Sequence, residues 1–262
     1  MKLNLAIGLG NYAYFKVLIG ELEDAESNYI LSQKICREIN NEFWKAVNHG
    51  ELGKIYAFKG RFKESEKEIA ISINLFIKLD EIRSQGIPWA YHSIRDLLRF
   101  KAYEALNFAQ KSRELADAEK NEMDIIEAEY LLGAAHLMKG NLPEAEKHLN
   151  EALIRDRKSN YVEFEPDILL ELAKLRFNQK GKHEASKFAE EALQIADRCE
   201  YRLKQADIHN FLSEFYLDTG DIAKAREHGE IAKERAACGY VPAMEKAERL
   251  LKEIDSKGKV TP

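Results

Sequence analysis

The sequence predicts an all-α fold: a right-handed α-solenoid (superhelix) of six antiparallel helix pairs followed by a C-terminal capping helix. Three observations predict it. Small residues recur every forty residues, apolar residues recur at helical spacing, and no segment alternates between apolar and polar residues as a strand would. The 262 residues include only 14 Gly and 5 Pro, fewer than a sheet-rich chain with many tight turns would need.

Two series of small residues define the repeat, one in each helix of a pair and twelve residues apart. The first series is Ala13, Gly53, Ser93, Gly133, Ala173 and Ser213. The second series is Ala25, Ser65, Ala105, Ala145, Ala185 and Ala225. Because a large side chain at either position would push the backbones apart, we expect the paired helices to be closest there.

A third series marks the turn inside each pair: Gly20, Gly60, Phe100, Gly140, Lys180 and Gly220. Four of its six members are Gly, which ends a helix readily because it adopts a positive φ. In the fifth pair, Gly181 lies one place late.

The repeat predicts a single repeat domain over residues 1–262. Its linkers are expected to contain helix-breaking Gly and Pro and polar residues. The predicted linkers contain Asn40–Asn41, Gly86 with Pro88, Lys120–Asn121 and Pro166. The expected units are residues 6–45, 46–85, 86–125, 126–165, 166–205 and 206–241. Pro242 opens the capping helix, which we expect over residues 242–255.

Composition excludes several classes of protein. The formal charge of −5 argues against nucleic-acid binding, which depends on Lys and Arg neutralising phosphates. No apolar run approaches the roughly 20 residues of a membrane helix. Cys36, Cys199 and Cys238 form neither a zinc set nor a disulfide framework, which indicates a reducing, cytoplasmic setting.

These motifs resemble the tetratricopeptide repeat (TPR). The segment Leu132-Gly133-x-x-His136, followed by Gly140 and Ala145, matches the TPR pattern, as does Leu52-Gly53-x-x-Tyr56. The resemblance extends from Leu5 to Ala237, but the period of forty exceeds the usual repeat of about 34 residues. The Pro that normally closes the second helix is also absent. A HEAT array has a similar period but lacks this pattern of Gly and small residues.

Longer second helices resemble those in the repeat arms of STAND-class signalling NTPases, including maltose-regulator-like activators. That resemblance implies a sensor arm that binds an inducer, with an NTPase or effector domain attached N-terminal to this chain. The first unit begins within a few residues of Met1, with no polar cap before it. We therefore expect the chain to be a fragment of a longer protein or to pack on something.

No catalytic constellation is evident, so we predict no enzyme, no metal and no cofactor. Gly8-x-Gly10-x-x-Ala13 imitates a dinucleotide fingerprint, but its flanks are helical and Ala13 belongs to the first series. His183-Glu184 lacks the second His of a zinc-protease helix. The remaining candidates are interpreted as partly buried packing side chains: His49, His92, His136 and His209.

The face of the first helices opposite the small residues is predicted to line a concave groove. Its middle is apolar and aromatic, and its C-terminal end is acidic, with Lys174 as the one cation there. The candidates are Tyr14, Glu51, Lys54, Phe58, Tyr91, Ile94, Leu131, Met138, Asp167, Glu171, Lys174, Asn178, Asp207, Phe211, Glu214 and Asp218. We expect a protein or peptide ligand with an apolar anchor toward the middle and basic residues toward the C-terminal end.

The favoured function is a non-catalytic, protein- or peptide-binding repeat module that acts as the ligand-sensing arm of a STAND-type regulatory NTPase. The alternatives are a free-standing TPR adaptor or scaffold for a multiprotein assembly and a small-molecule inducer sensor. A deep closed pocket among Phe58, Tyr91 and Tyr130 would favour the small-molecule sensor.

Overall fold

The computed structural model describes residues 1–258, apart from the side chain of Arg83. Within this part of the chain there are thirteen α-helices and no strand, which confirms the predicted all-α helical repeat. The helices are α1 Lys2–Leu18, α2 Leu22–Glu38, α3 Glu42–Phe58, α4 Phe62–Lys78, α5 Ile82–Leu98, α6 Ala102–Glu119, α7 Glu122–Met138, α8 Leu142–Ser159, α9 Glu165–Asn178, α10 Lys182–Arg198, α11 Arg202–Thr219, α12 Ile222–Ala236 and α13 Val241–Gly258.

The chain forms two compact units. The first comprises residues 1–17 and 21–161, and the second comprises residues 18–20 with the chain from Val162 onward. In the first unit, α3 packs on α4, α5 on α6 and α7 on α8, while α3, α5 and α7 also contact one another in succession. In the second unit, α9, α11 and α13 contact in the same succession. Each unit is therefore a two-layer stack in which alternate helices form one layer.

The small residues lie at the contact between paired helices, and all twelve are buried. The hydroxyl of Ser93 donates to the carbonyl of Ala105 at 2.9 Å, and Ser213 makes the equivalent bond to Ala225 at 2.8 Å. At Gly133 an added Cβ would lie 2.5 Å from Leu149 Cγ and 3.2 Å from its backbone nitrogen. The paired helices are therefore so close that only a small side chain, such as that of serine, or a glycine hydrogen fits between them.

The turns inside each pair all contain one residue in the left-handed region. Gly20, Gly60, Gly140 and Gly220 adopt it at four of them. Phe100 (φ 58°) and Lys180 (φ 64°) adopt it at the other two, so Gly181 does not replace Lys180 and instead precedes α10 with φ −82°. The turns between pairs use non-glycine residues: Asn40, Asp80, Lys120, Asn160 and Glu200.

The structure corrects two predicted linkers. Pro166 is the second residue of α9. Gly86 and Pro88 lie inside α5, and the turn before that helix is at Asp80–Glu81. Proline has no backbone N–H, so α5 lacks one hydrogen bond but continues. The helix pairs consequently begin near Glu42 and Ile82, about four residues before the expected units.

A second set of contacts joins paired helices through residues nineteen positions apart. Three of these pairs are polar and are formed by His49–Glu68, Glu129–His148 and His209–His228. Between the first two lies an aromatic pair, in which Trp89 stacks on Phe108 with ring centroids 5.7 Å apart. Polar and aromatic contacts therefore alternate along the first unit. His49, His92 and His209 are buried and His136 is half-buried.

Candidate functional site

In the first unit, α1, α3 and α5 bring together four predicted groove residues: Tyr14, Glu51, Lys54 and Tyr91. Lys54 Nζ lies 3.3 Å from Glu51 Oε2 and 3.4 Å from the Tyr91 hydroxyl. The Tyr91 hydroxyl donates to Glu51 Oε1. The Lys54 ammonium also lies 4.5 Å from the ring centroid of Tyr91 and 5.5 Å from that of Tyr14. One lysine is thus held by a carboxylate and two aromatic rings.

This cluster is mostly shielded from water. The side chains of Glu51 and Lys54 each retain 11% of their exposure, and Tyr91 is 5% exposed. Burial and the neighbouring Glu51 carboxylate raise the pKa of Tyr91 well above its ordinary value. The Tyr91 hydroxyl therefore keeps its proton at neutral pH and continues to donate to Glu51.

The predicted apolar zone is only partly accessible. Phe58 and Ile94 are half-buried, and Met138 is exposed. Leu131 is fully buried and belongs to the core cluster that contains Tyr91 and Leu132, so it offers no surface to a ligand. Because first helices here pack against helices on several sides, a face read from helical spacing includes some core positions.

In the second unit, α9 and α11 carry the predicted acidic residues. Asp167 pairs with Lys204, and Glu171 Oε1 lies 2.5 Å from Lys174 Nζ. Asp207 Oδ2 accepts a 2.9 Å hydrogen bond from the Tyr240 hydroxyl.

Two further carboxylates on α11 are exposed and paired. Glu214 lies 2.9 Å from Lys246, and Asp218 lies 2.8 Å from Lys182. Every predicted carboxylate of the second unit therefore has a cationic or hydroxyl partner, and the sequence-based view of one cation there is wrong.

Sequence reasoning missed Lys204, Tyr240 and Lys246. A usable signal exists for Lys204, which lies 37 residues after Asp167, just as Tyr91 lies 37 residues after Lys54. A spacing of 37 residues is the repeat of forty residues shortened by about one helical turn. It places two side chains on neighbouring first helices beside each other.

Burial shifts the titration of these acids. Burial raises the pKa of Asp207 to about 6, although Lys174 and the Tyr240 hydroxyl oppose the shift. Burial also raises the pKa of Asp167 against the opposing effect of Lys204. For Lys174 burial lowers the pKa, but Glu171, Asp207 and Glu214 outweigh it, so the net pKa is raised. Lys174 stays charged at neutral pH, and Asp207 loses its charge at a higher pH than an ordinary aspartate does.

A cleft of about 290 Å³ opens between α9, α11 and α13. Three of its lining residues are apolar and five are charged, with three carboxylates and two cations. The lining residues are Phe177, Glu214, Leu217, Asp218, Arg249, Leu250, Glu253 and Lys257. Two of the predicted residues, Glu214 and Asp218, therefore border a defined cavity. Asn178 is exposed, whereas Phe211 is 2% exposed and belongs to the core.

The described residues contain no cluster of three or more His, Cys, Asp or Glu side chains that could hold a metal ion. Cys36, Cys199 and Cys238 are unpaired thiols. Gly8-x-Gly10 lies inside α1 and follows no strand. Of the helices in residues 1–258, none has the length and apolar character needed to cross a membrane.

No family model and no curated protein matches this chain. Among solved structures, it is similar to a Rap protein in complex with competence and sporulation factor, with 15% identity and a TM-score of 0.76 over 98% of this chain and 76% of that one. Aspartyl phosphate phosphatase F from Bacillus subtilis gives 11% identity and a TM-score of 0.61, over 99% and 72% of the two chains.

A STAND protein with a tetratricopeptide repeat sensor, from Pyrococcus horikoshii, gives 19% identity and a TM-score of 0.58. The match covers 98% of this chain but 43% of that protein. At these identities the similarities show that the fold is a TPR-like helical repeat.

Proposed function

We propose that this chain is a non-catalytic module that binds a protein or peptide segment along the faces of its first helices. The observation that carries the proposal is that, within each unit, charges of opposite sign lie side by side on those faces. Lys54 and Lys174 are each held beside a carboxylate and near further polar groups. Preorganised charges of both signs suit a peptide, whose backbone and side chains present donors and acceptors in succession.

The cleft of the second unit is where we place a basic side chain of the ligand. Its apolar lining residues suit an alkyl stem: Phe177, Leu217 and Leu250. Its three carboxylates outnumber its two cations, Arg249 and Lys257, and Glu214 and Asp218 suit a cationic head. Both carboxylates pair with lysines at exposed sites, where an ion pair contributes only about 0–1 kcal/mol. A ligand cation can therefore replace Lys246 or Lys182 at low cost.

Fluorescence anisotropy with labelled peptide pools tests this assignment. Each pool would fix one class of residue, either Lys and Arg, Asp and Glu, or Leu and Phe, in otherwise randomised peptides. We expect the basic pool to bind at low salt, and Glu214→Lys with Asp218→Lys to weaken that binding about tenfold. The matched control reverses Glu104 and Glu114, which are exposed on α6 and lie far in sequence from the cleft residues.

Two results would overturn the ligand class: no binding of the basic pool, or equal binding by the cleft variant and the α6 variant. Binding of the acidic pool alone would also contradict it. Saturable binding of a small uncharged compound that protects the cleft residues would instead support the inducer-sensor alternative.

For the biological role, we propose the ligand-sensing arm of a STAND-type regulatory NTPase. The similarity to a STAND protein whose sensor is a tetratricopeptide repeat supports this role, as does the similarity to a Rap protein solved with a bound factor. An immunoblot of the host with an antibody against this chain tests it. A band far heavier than 30.1 kDa is expected, and a band at 30.1 kDa would favour a free-standing adaptor.

A further inference from the structure

The outward face of α1 carries a line of apolar residues that remain largely exposed, although the Lys16 ammonium lies 5.2 Å from the ring centroid of Tyr12. We call it the α1 stripe, formed by Met1, Leu5, Gly8, Tyr12 and Phe15. Leu5 is 56% exposed, Tyr12 50% and Phe15 52%. The opposite face of α1 is buried against the rest of the unit through Ala6, Gly10, Ala13 and Val17. The helix is therefore apolar on both faces, which is typical of a helix packed on two sides.

The later repeats show what this face does when it is covered. The positions equivalent to Gly8, Tyr12 and Phe15 lie 40, 80, 120 and 200 residues further along the chain. The residues at all of these positions are buried. They are Asn48, Leu52 and Ile55 in α3, Pro88, His92 and Arg95 in α5, Ala128, Leu132 and Ala135 in α7, and Ile208, Leu212 and Phe215 in α11. Each of these helices contacts the second helix of the preceding pair. The stripe thus has the position and composition of a helix-packing surface.

The stripe restricts what can cover it, because none of its side chains carries a charge. The two lysines of α1 lie beside it and are engaged within the chain, Lys2 with Glu38 and Lys16 with Glu21. An occupant must therefore present an uncharged apolar helix face. The exposed face of α13 does not, since it carries charged side chains: Glu245, Glu248, Arg249, Lys252 and Asp255.

The stripe itself fulfils this requirement on a second copy of the chain. Its residues lie at −7, −3, 0, +4 and +7 relative to Gly8, a nearly symmetric arrangement. A two-fold axis through Gly8 would set Leu5 of each copy against Tyr12 of the other, and Met1 against Phe15. No atom lies within 4 Å of the position of a Cβ at Gly8, so the two backbones have room to cross closely.

We propose that the α1 stripe is a homodimer interface, in which the stripes of two copies cross at Gly8. Sedimentation velocity of the purified chain, over a wide range of concentrations, tests it. We expect a species of twice 30.1 kDa that dissociates on dilution. Tyr12→Glu with Phe15→Glu should shift the dimer dissociation constant upward by at least about a hundredfold, because the substitutions remove two aromatic rings per chain from the interface and place charges there.

The control is Ile154→Glu, which places the same charge at a residue that is 65% exposed on α8. That variant should dimerise as the wild type does, and circular dichroism should show unchanged helix content for every variant. A wild-type chain that stays monomeric at all concentrations would overturn the proposal. A dimer that tolerates both glutamates would overturn it as well.

Cross-linking tests the geometry independently of affinity. In a background with Cys199 and Cys238 replaced by Ser, Gly8→Cys should form an intermolecular disulfide under mild oxidation, because the axis sets residue 8 beside its copy. Ile154→Cys in the same background should not form one. A dimer in which Gly8→Cys fails to cross-link would contradict the proposed crossing point.

Discussion

The imidazole rings of His209 and His228 face each other across the contact between α11 and α12, with their Nδ1 atoms 2.8 Å apart. One ring must donate and the other must accept, so the contact requires at least one neutral imidazole. The His228 ring also stacks on Tyr216, with centroids 5.3 Å apart. Burial, His228 and Arg235 lower the pKa of His209 to about 4. Burial also lowers the pKa of His228.

The first prediction is that mild acid destabilises the second unit through this pair. The unfolded chain binds a proton at His209 near pH 6.5, but the folded chain binds it only near pH 4. Stability from neutral His209 is therefore complete above pH 6.5 and is lost as the pH falls toward 4. At pH 5 the loss should be about 2 kcal/mol.

Urea unfolding at pH 7 and pH 5 measures this loss. The raised pKa values of Asp207 and Asp124 act in the opposite direction, so the test is the difference between variants. Between pH 7 and pH 5, the unfolding midpoint of His209→Gln should fall less, or rise more, than that of the wild type. His183→Gln, on the exposed first turn of α10, is the control and should retain the wild-type sensitivity. Equal pH sensitivity in the wild type and in His209→Gln would contradict the assignment.

The second prediction concerns the closest approach of α7 and α8. Gly133→Ala should destabilise the fold by about 1–3 kcal/mol, because the new methyl group would lie 2.5 Å from Leu149 Cγ and 3.2 Å from the Leu149 backbone nitrogen. Gly86→Ala is the matched control inside α5, where the nearest atom is 3.4 Å away.

The Gly86→Ala variant should gain about 0.5–1 kcal/mol, because alanine favours a helix over glycine. Thermal melting of both variants distinguishes overpacking from helix propensity. An increase in Tm for Gly133→Ala would mean that α7 and α8 are not as close as the structure places them.

The third prediction concerns Asp124, which is 4% exposed in the first turn of α7. Burial raises its pKa from 3.8 to about 6. The folded chain thus binds the proton more tightly than the unfolded chain, and stability falls as the pH rises from about 4 to 6. Asp124→Asn should therefore stabilise the fold by about 1–3 kcal/mol at pH 7 and have little effect at pH 4.

Asparagine retains an oxygen that can accept the 2.8 Å bond from Asn121 Nδ2, so the substitution spares that contact. The measurement is guanidinium unfolding at both pH values, with exposed Asp255→Asn on α13 as the control. Destabilisation by Asp124→Asn at pH 7 would show that the charged form of Asp124 is the stable one.

The fourth prediction is that Tyr91→Phe destabilises the first unit by about 1–3 kcal/mol. It removes the hydroxyl that donates to Glu51 and leaves a shielded carboxylate with one fewer partner. Tyr103→Phe is the control, because Tyr103 is 71% exposed and its loss of a hydroxyl should change the unfolding free energy by less than about 0.5 kcal/mol. Equal melting temperatures for both variants would indicate that the Glu51–Tyr91 bond contributes nothing.

The repeat could be predicted from the sequence because it requires small side chains at fixed positions in every helix pair. Gly133 and Ala145 are small for a steric reason that no neighbouring residue can replace, so the pattern persists across six pairs. The residues that adopt the left-handed conformation at the turns were harder to predict, because Phe100 adopts the conformation that the pattern assigns to Gly. Although the Phe100 side chain is exposed, backbone hydrogen bonds from Phe100 to Leu97 and from Lys101 to Asp96 close that turn.

The candidate groove could be predicted only in outline. Helical spacing placed Lys54 and Tyr91 on one face, and the 37-residue spacing that they share with Asp167 and Lys204 identifies Lys204 only once the Lys54–Tyr91 contact is known. A long flexible side chain has several reachable partners, and packing selects one of them. Leu131 and Phe211 were misplaced for a related reason, because the boundary between core and surface depends on how neighbouring pairs are rotated.

The alternation of polar and aromatic contacts between paired helices also affects how the chain assembles. Six similar helix pairs create many opportunities for a helix to join the wrong neighbour while the protein is being synthesised. If α3 packed on α6 in place of α4, His49 would contact Phe108 and would lose its carboxylate partner. Glu68 of α4 would then lie against Trp89. Exchange between adjacent pairs of the first unit is thus penalised twice, which favours the native order of helices.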